Sequence, residues 1–134
     1  VKNLNSRKKL SNIDFTVRAG SIVGVCGLLG AGKTEIARAV FGLDDIDAGQ
    51  VILNGEQIKN ITPINMMARG VAYLPEDRKK EGFIPLLSIE ENITLSILKT
   101  MRTKAGLINR KARQSLSNDF ARKVTVNGVA GDKL

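Results

Sequence analysis

Histidine and tryptophan are absent from the 134 residues, and cysteine occurs once, at Cys26. One thiol cannot build a disulfide framework, which suits a reducing cytosol. Its position inside an apolar run predicts a buried, unreactive thiol. Aromatic residues are scarce, four phenylalanines and one tyrosine. Phe15, Phe41 and Tyr73 fall within apolar runs rather than among basic clusters, so no platform for stacking bases is visible. No apolar run approaches the ~18–20 residues of a membrane span. The opening residues, with Lys2, Arg7, Lys8 and Lys9 among too few apolar neighbours, lack a signal-peptide pattern. Internal repeats and low-complexity tracts are also missing.

What the chain does have is positive charge, +8 at pH 7. Basic clusters lie at Arg7-Lys8-Lys9, Arg78-Lys79-Lys80, 99–104, 110–113 and Arg122-Lys123. Charge alone would suit a nucleic-acid-binding module. Without interleaved aromatics, solvated faces, or faces turned to an acidic partner segment, account for it better, and no nucleic-acid partner is expected. Hydrophobic content of 43% is enough for a core in one domain or a large piece of one.

The stretch that organises the chain runs from 21 to 42. Residues 22–26 (Ile-Val-Gly-Val-Cys) form a short, β-branched run that reads as a buried strand. Next comes Gly27-Leu28-Leu29-Gly30-Ala31-Gly32-Lys33-Thr34, which matches the phosphate-binding pattern G-x-x-x-x-G-K-[ST]. Residues 35–41 are good helix formers, with Ile36/Val40 and Ala37/Phe41 paired at i,i+4. Glycines at 27, 30 and 32 let successive N–H groups converge on one concavity. A helix beginning near Lys33 adds uncapped amides and the positive end of its dipole. Lys33 is suited to the β- and γ-phosphates of a nucleotide, and the Thr34 hydroxyl to Mg²⁺, which prefers hard oxygen donors. The expected nucleotide-binding set is Gly27, Leu28, Leu29, Gly30, Ala31, Gly32, Lys33, Thr34 and Glu35.

Around this centre the pattern alternates between strand and turn. Residues 1–4 read as a strand, and 11–17 alternate polar with apolar, so the early strands are expected to form an antiparallel flap ahead of a parallel core. Gly42 suits a helix C-cap, and the acidic run 44–49, ending in Gly49, suits a solvated turn. Residues 50–53 and 56–58 flank Asn54-Gly55, a strong hairpin signal. Thr62-Pro63 predicts a capped helix over 63–68, and 71–74 another buried strand, halted at Pro75. A charged loop spans 76–82. Ser88 and Glu91 fit a capping box for a helix carrying Ile89, Ile93 and Ile97 with Leu98 beside them. Residues 99–107 read as a loop. Asn109 can cap a second helix over 110 to about 124, with Ala112, Leu116, Phe120 and Val124 as its stripe. Residues 127–134 have little periodicity.

Residues 20–55, including Phe41-Gly42-Leu43, Gly49 and Asn54-Gly55, resemble the ATP-binding subunits of ABC transporters. The run Tyr73-Leu74-Pro75-Glu76-Asp77-Arg78-Lys79-Lys80-Glu81-Gly82 is more specific. It resembles the second ATPase half of the tandem subunits that power bacterial sugar importers of the ribose, galactose and xylose type. The likeness extends to about residue 98 and then weakens. It implies an α/β P-loop NTPase fold, present as a partial domain with an antiparallel β flap, part of the parallel core sheet and the start of a helical subdomain. The implied division is 1–76, the nucleotide-binding core, and 77–134, a Q-loop-like segment leading into helices. ATP and Mg²⁺ are the implied cofactors. Membrane-spanning permease subunits and a partner ATPase half are the implied partners, at the cytoplasmic face of the inner membrane. Glu76 stands where most members carry the Q-loop glutamine, which senses Mg²⁺ and the γ-phosphate, so Thr34 and Glu76 are the expected metal ligands.

Several family features are not in this sequence. No aromatic precedes Phe15 to stack on adenine, and no Ser-Gly-Gly signature occurs. The nearest approach to a Walker B pattern, Val40-Phe41-Gly42-Leu43-Asp44, lies at the end of the P-loop helix, and the switch histidine is missing. The expectation is a fragment of a longer chain that binds ATP without hydrolysing it, with exposed sheet edges that favour self-association. A GTPase or nucleotide kinase is the competing P-loop reading. GTPases need D-x-x-G and N-K-x-D motifs, and neither occurs. With no base-reading aromatic, GTP should displace bound ATP at comparable concentration in a competition assay. A strong guanine preference would favour the GTPase reading instead.

Overall fold

A computed structural model describes residues 1–7 and 10–124; Lys8, Lys9 and residues 125–134, with the aperiodic stretch 127–134, lie outside the described residues. The chain divides into two compact units, Val1–Glu76 and Asp77–Leu134.

In the first unit, β1 (Lys2–Ser6) lies between β2 (Leu10–Ile13) and β3 (Ala48–Gln50) in an antiparallel sheet of order β2-β1-β3. Both ladders are bulged. Leu4 pairs with Ile13 and Ser6 with Leu10, leaving an extra residue on β2; Lys2 pairs with Gln50 and Asn5 with Ala48, leaving one on β1. Left-handed asparagines, Asn12 (φ 50) and Asn3 (φ 48), lie in the two bulged stretches. Asparagine tolerates that conformation because its short amide bonds locally. Here Asn5 Oδ1 accepts from the Asn12 amide at 3.0 Å and Asp14 Oδ1 from the Asn3 amide at 3.0 Å. The expected antiparallel flap is therefore present. β4 (Ile52–Leu53) and β5 (Glu56–Gln57) form the expected hairpin. Its turn residues Asn54 (φ 52) and Gly55 (φ 84) both take the positive φ of a type I′ turn.

α1 (Lys33–Phe41) ends at Gly42 (φ 87), whose amide donates to the Ala39 carbonyl while that of Leu43 donates to Arg38. A Cβ on Gly42 would stand 2.7 Å from Thr62 Cα, so the end of α1 closes against the start of α2 (Pro63–Ala68). Thr62 caps α2 through the Asn65 amide at 3.3 Å, with Pro63 at its first position, as the sequence predicts. Leu4, Leu10, Ala39, Val51, Ile58 and Met66 are buried together as the core between sheet and helices. Each large side chain buried there contributes about 1.5–3 kcal/mol.

Several expectations fail here. Residues 22–26 and 71–74 belong to no strand, and every ladder among the described residues is antiparallel. Ile22 is 99% exposed, Leu74 85%, and Cys26 is exposed rather than buried. An apolar run records what a strand would bury, whereas a strand also needs a neighbour offering N–H and C=O groups. No described segment supplies that neighbour. Finally, Gly49 does not sit in a solvated turn. It lies within β3, with its Cα so close to β1 that a Cβ would clash with the Asn3 carbonyl and Leu4 Cα.

In the second unit, the charged loop tightens into a π-helical turn, Arg78–Gly82, capped by Asp77 Oδ1 on the Lys80 amide at 3.2 Å. α3 (Ile89–Thr94) begins with the full capping box. Ser88 Oγ accepts from the Glu91 amide at 3.2 Å, and Glu91 Oε2 accepts from the Ser88 amide at 2.9 Å. The predicted Ile89–Ile93–Ile97 stripe does not remain on one α-helix. The buried Thr94 hydroxyl donates back to the Glu90 carbonyl at 2.7 Å, and the chain tightens into a 3₁₀ helix over Leu95–Met101. Such back-bonding bends helices.

α4 (Arg110–Lys123) starts at Asn109, whose Oδ1 accepts from Ala112 N at 3.1 Å. Its packed face is not the predicted four-residue stripe. Ser117 is buried and Leu116 half-buried, while Ala112, Phe120 and Val124 are exposed. Arg113 turns that face, its Nε 2.6 Å from Glu90 Oε1 on α3. No helix among the described residues is long and apolar enough to cross a membrane.

Gly49→Ala is expected to cost about 2–4 kcal/mol, because overpacking and left-handed strain add at this site. Gly20→Ala, at φ 74 with nothing near its would-be Cβ, should cost about 1 kcal/mol. Urea midpoints compare the two, and equal shifts would contradict the close β1–β3 approach.

Candidate functional site

The glycine loop is held by its own chain. Gly30 (φ 77) and Gly32 (φ 90) both take the left-handed conformation, and the Ala31 amide donates to the Leu28 carbonyl at 3.1 Å. A side chain at either glycine would strain that turn. Gly32 precedes α1 and has no side chain to cap it. The amides of Lys33 and Thr34 are therefore left for water or a ligand. This is the polar arrangement that favours an anion.

Lys33 folds back over the loop. Its Nζ donates to the carbonyls of Gly27 at 2.9 Å and Leu28 at 2.8 Å. The ammonium is thereby fixed within the loop that the glycines shape. These bonds are to neutral carbonyls, so an incoming anion can compete for the charge.

Glu76 reaches the same place from much further along the chain. Thr34 Oγ1 donates to Glu76 Oε2 at 2.7 Å, joining the first turn of α1 to the segment after Pro75. A hollow of ≈ 280 Å³ opens beside this bond, lined by Leu29, Gly30, Ala31, Gly32, Lys33, Thr34, Glu35 and Glu76. Gly27 and Leu28 are not on its wall; they act through the carbonyls that anchor Lys33. Leu29 points outward and is fully exposed.

The spacing of the two oxygens bears on whether a metal fits. Mg²⁺ bonds of about 2.0–2.1 Å at right angles place neighbouring ligand oxygens about 2.9 Å apart. Thr34 Oγ1 and Glu76 Oε2 lie 2.7 Å apart, close to that separation, and both are hard donors. No group of three or more His, Cys, Asp or Glu among the described residues could hold a metal. Any metal here must draw the rest of its shell from water or a bound anion.

Phe41 and Tyr73 were legible only as apolar residues. Their rings stack with centroids 5.6 Å apart, at 28° between planes. Phe41 ends the P-loop helix, and Tyr73 lies three residues before Glu76. The contact ties the 71–76 segment, which belongs to no ladder, to α1, and so steers Glu76 toward Thr34. An aromatic at the helix end and another just before the acidic loop were the available signal.

A glycine loop leading into a helix, with lysine and threonine at its head, defines a P-loop nucleotide-binding protein. Within that class the chain belongs to the ABC transporter family, whose model matches residues 10–131. It is 46% identical over 126 residues to the Ribose import ATP-binding protein RbsA 2 of Streptomyces avermitilis, covering 94% of this chain and 25% of that protein. It is 37% identical over 134 residues to the Ribose import ATP-binding protein RbsA of Clostridium tetani, covering 100% and 26%. A putative ribose/galactose/methyl galactoside import ATP-binding protein of Rhizobium etli is 50% identical over 99 residues, covering 74% and 19%. The chain thus spans at most 26% of the length of these relatives. Family membership implies a nucleotide-binding role for the chain.

Proposed function

We propose that this chain is the ATP-binding segment of an ATPase that energises import of a ribose- or galactose-type sugar into a bacterial cell. The observation that carries the reading is the meeting of Thr34 and Glu76, 2.7 Å apart, at the head of the P-loop helix. Residues 42 positions apart in sequence converge on the one point where a nucleotide's phosphates would lie. The names of the relatives support sugar as the cargo.

In this reading the amides of the loop and of the first turn of α1 cradle the phosphates. Lys33 leaves its carbonyl partners to neutralise phosphate charge. Thr34 and Glu76 hold Mg²⁺, which screens charge on the phosphate oxygens when bound. Residues 1–76 act as the nucleotide-binding core and 77–134 as the link toward the transport machinery. The partners are membrane-spanning permease subunits and a second ATPase half, met at the inner face of the membrane. The exposed π-helical turn with Arg78, Lys79 and Lys80 follows Glu76 directly, so movement at the nucleotide is transmitted through it. This sequence contains no Walker B carboxylate pair, so no residue here is suited to orient the attacking water. The chain by itself binds ATP and does not turn it over.

The exposed apolar side chains of Ile22, Val23 and Val25 also favour self-association through the unpaired 22–26 segment. Concentration-dependent dimers in solution scattering are the expected result; a monodisperse monomer would count against it.

Calorimetry with Mg·ATP should give a binding heat that Lys33→Ala weakens by about tenfold or more, the loss of a charge-assisted contact. Phosphate release should stay at background for both proteins. Lys33-dependent hydrolysis would overturn the view that the chain only binds.

A further inference from the structure

Between Glu91 and Asp119 the chain carries six lysines and arginines and no acidic residue. One of the six, Arg113, is paired with Glu90 on α3. The other five, Lys99, Arg102, Lys104, Arg110 and Lys111, are exposed, and no carboxylate among the described residues pairs with them. Elsewhere the fold answers its arginines, as in Arg38–Asp44 and Arg69–Glu56. Arg110 and Lys111 even stand at the end of α4 where the helix dipole disfavours cations. Helix stability therefore does not account for them.

A short hairpin gathers these charges beside exposed apolar side chains. The Asn109 amide donates to the Met101 carbonyl at 2.9 Å and the Thr103 amide to that of Leu107 at 2.7 Å. Arg102 thus faces Ile108 across an antiparallel bridge. Gly106 (φ 80) closes the turn through its amide on the Thr103 carbonyl at 2.9 Å, and the Thr103 hydroxyl accepts from the Leu107 amide at 3.2 Å. Met101, at the base, is buried. The hairpin is held by its own bonds, yet Leu107 is 70% exposed and Ile108 39%.

We propose that this hairpin, with the bases around it, docks on a bilayer of anionic phospholipid, the cations on the headgroups and Leu107 at the acyl boundary. Charge complementarity selects the partner. Five unpaired cations with no acid among them meet a surface of negative headgroups, each adding about fivefold to affinity. The exposed leucine then separates one anionic partner from another. Against a bilayer it leaves water for hydrocarbon, whereas contacts to a nucleic-acid backbone are made by charge and give it nothing to pack on. Nor does any aromatic residue between positions 84 and 119 offer a base a ring to stack on. The inference does not use the nucleotide site and stands or falls apart from it.

The test is flotation of the 134-residue chain with vesicles, in which self-associated protein without lipid stays at the bottom of the gradient. At about 0.1 M NaCl, wild type should bind vesicles of equal parts phosphatidylglycerol and phosphatidylcholine at least about 30-fold better than pure phosphatidylcholine. Arg110→Gln/Lys111→Gln should weaken that binding about 25-fold. Arg122→Gln/Lys123→Gln removes the same charge about 18 Å further along α4, beyond the ~10 Å screening length, and should weaken it about twofold or less. Leu107→Ala should weaken it about threefold and leave binding to a labelled DNA duplex, followed by anisotropy, unchanged. Circular dichroism melts verify that each variant folds. Equal losses in the two charge variants would show that net charge, not this patch, holds the lipid. Tighter binding to the duplex than to anionic vesicles, with no effect of Leu107→Ala on either, would assign the patch to nucleic acid. Either result, or a wild type without preference for anionic vesicles, would overturn the proposal.

Discussion

The ammonium of Lys33, held by two carbonyls of the loop that precedes it, is the contact on which the rest of the site depends. It ties residues 27 and 28 to the first turn of α1 and so fixes the curvature that the left-handed glycines allow. A loop bonded this way has less freedom to lose when a ligand arrives, which is the thermodynamic advantage of preorganisation. The anchoring bonds are also the ones an anion would exchange for its own, because phosphate oxygens attract an ammonium more strongly than neutral carbonyls do. One side chain thus maintains the shape of the loop and supplies a positive charge beside it.

The remainder of the first unit brings Glu76 to that loop. The bulged β1–β3 pairing, possible only with glycine at 49, joins the core that α1 packs on. Gly42 lets α1 end directly against Thr62, and the Phe41–Tyr73 stack holds the segment that follows α2 near the helix. Tertiary contacts, rather than a ladder, position the 71–76 segment. A segment held by the packing of Val71 on the core, its amide bond to the Met66 carbonyl, the ring stack and one hydroxyl–carboxylate bond, with no ladder, moves more readily than a paired strand.

Much of this was legible in the sequence wherever the governing physics is local. The Asn54-Gly55 turn, the Thr62-Pro63 start of α2, the Ser88/Glu91 capping box and the Asn109 cap all appear at the expected residues. In each, a side chain or a permitted φ satisfies backbone groups within a few residues. The glycine loop belongs with them, since its pattern encodes backbone freedom and helix polarity directly. What could not be read depends on distant neighbours. Residues 22–26 have the composition of a buried strand but no described strand beside them. α4 turns Arg113 and Ser117 inward rather than Phe120, because Glu90 on α3 offers Arg113 a closer partner than any apolar surface offers the ring. Periodicity marks which residues could be buried; charge pairing across helices decided which were.

The central claim is that the loop's amides and Lys33 together form a pocket for phosphate. Nitrogen-15 amide spectra recorded during titration with Mg·ATP test it most directly. The account predicts that the largest shifts fall on Gly30, Gly32, Lys33 and Thr34, with a smaller set at Glu76. Shifts confined to the basic helix α4, or none at the loop at saturating nucleotide, would contradict it.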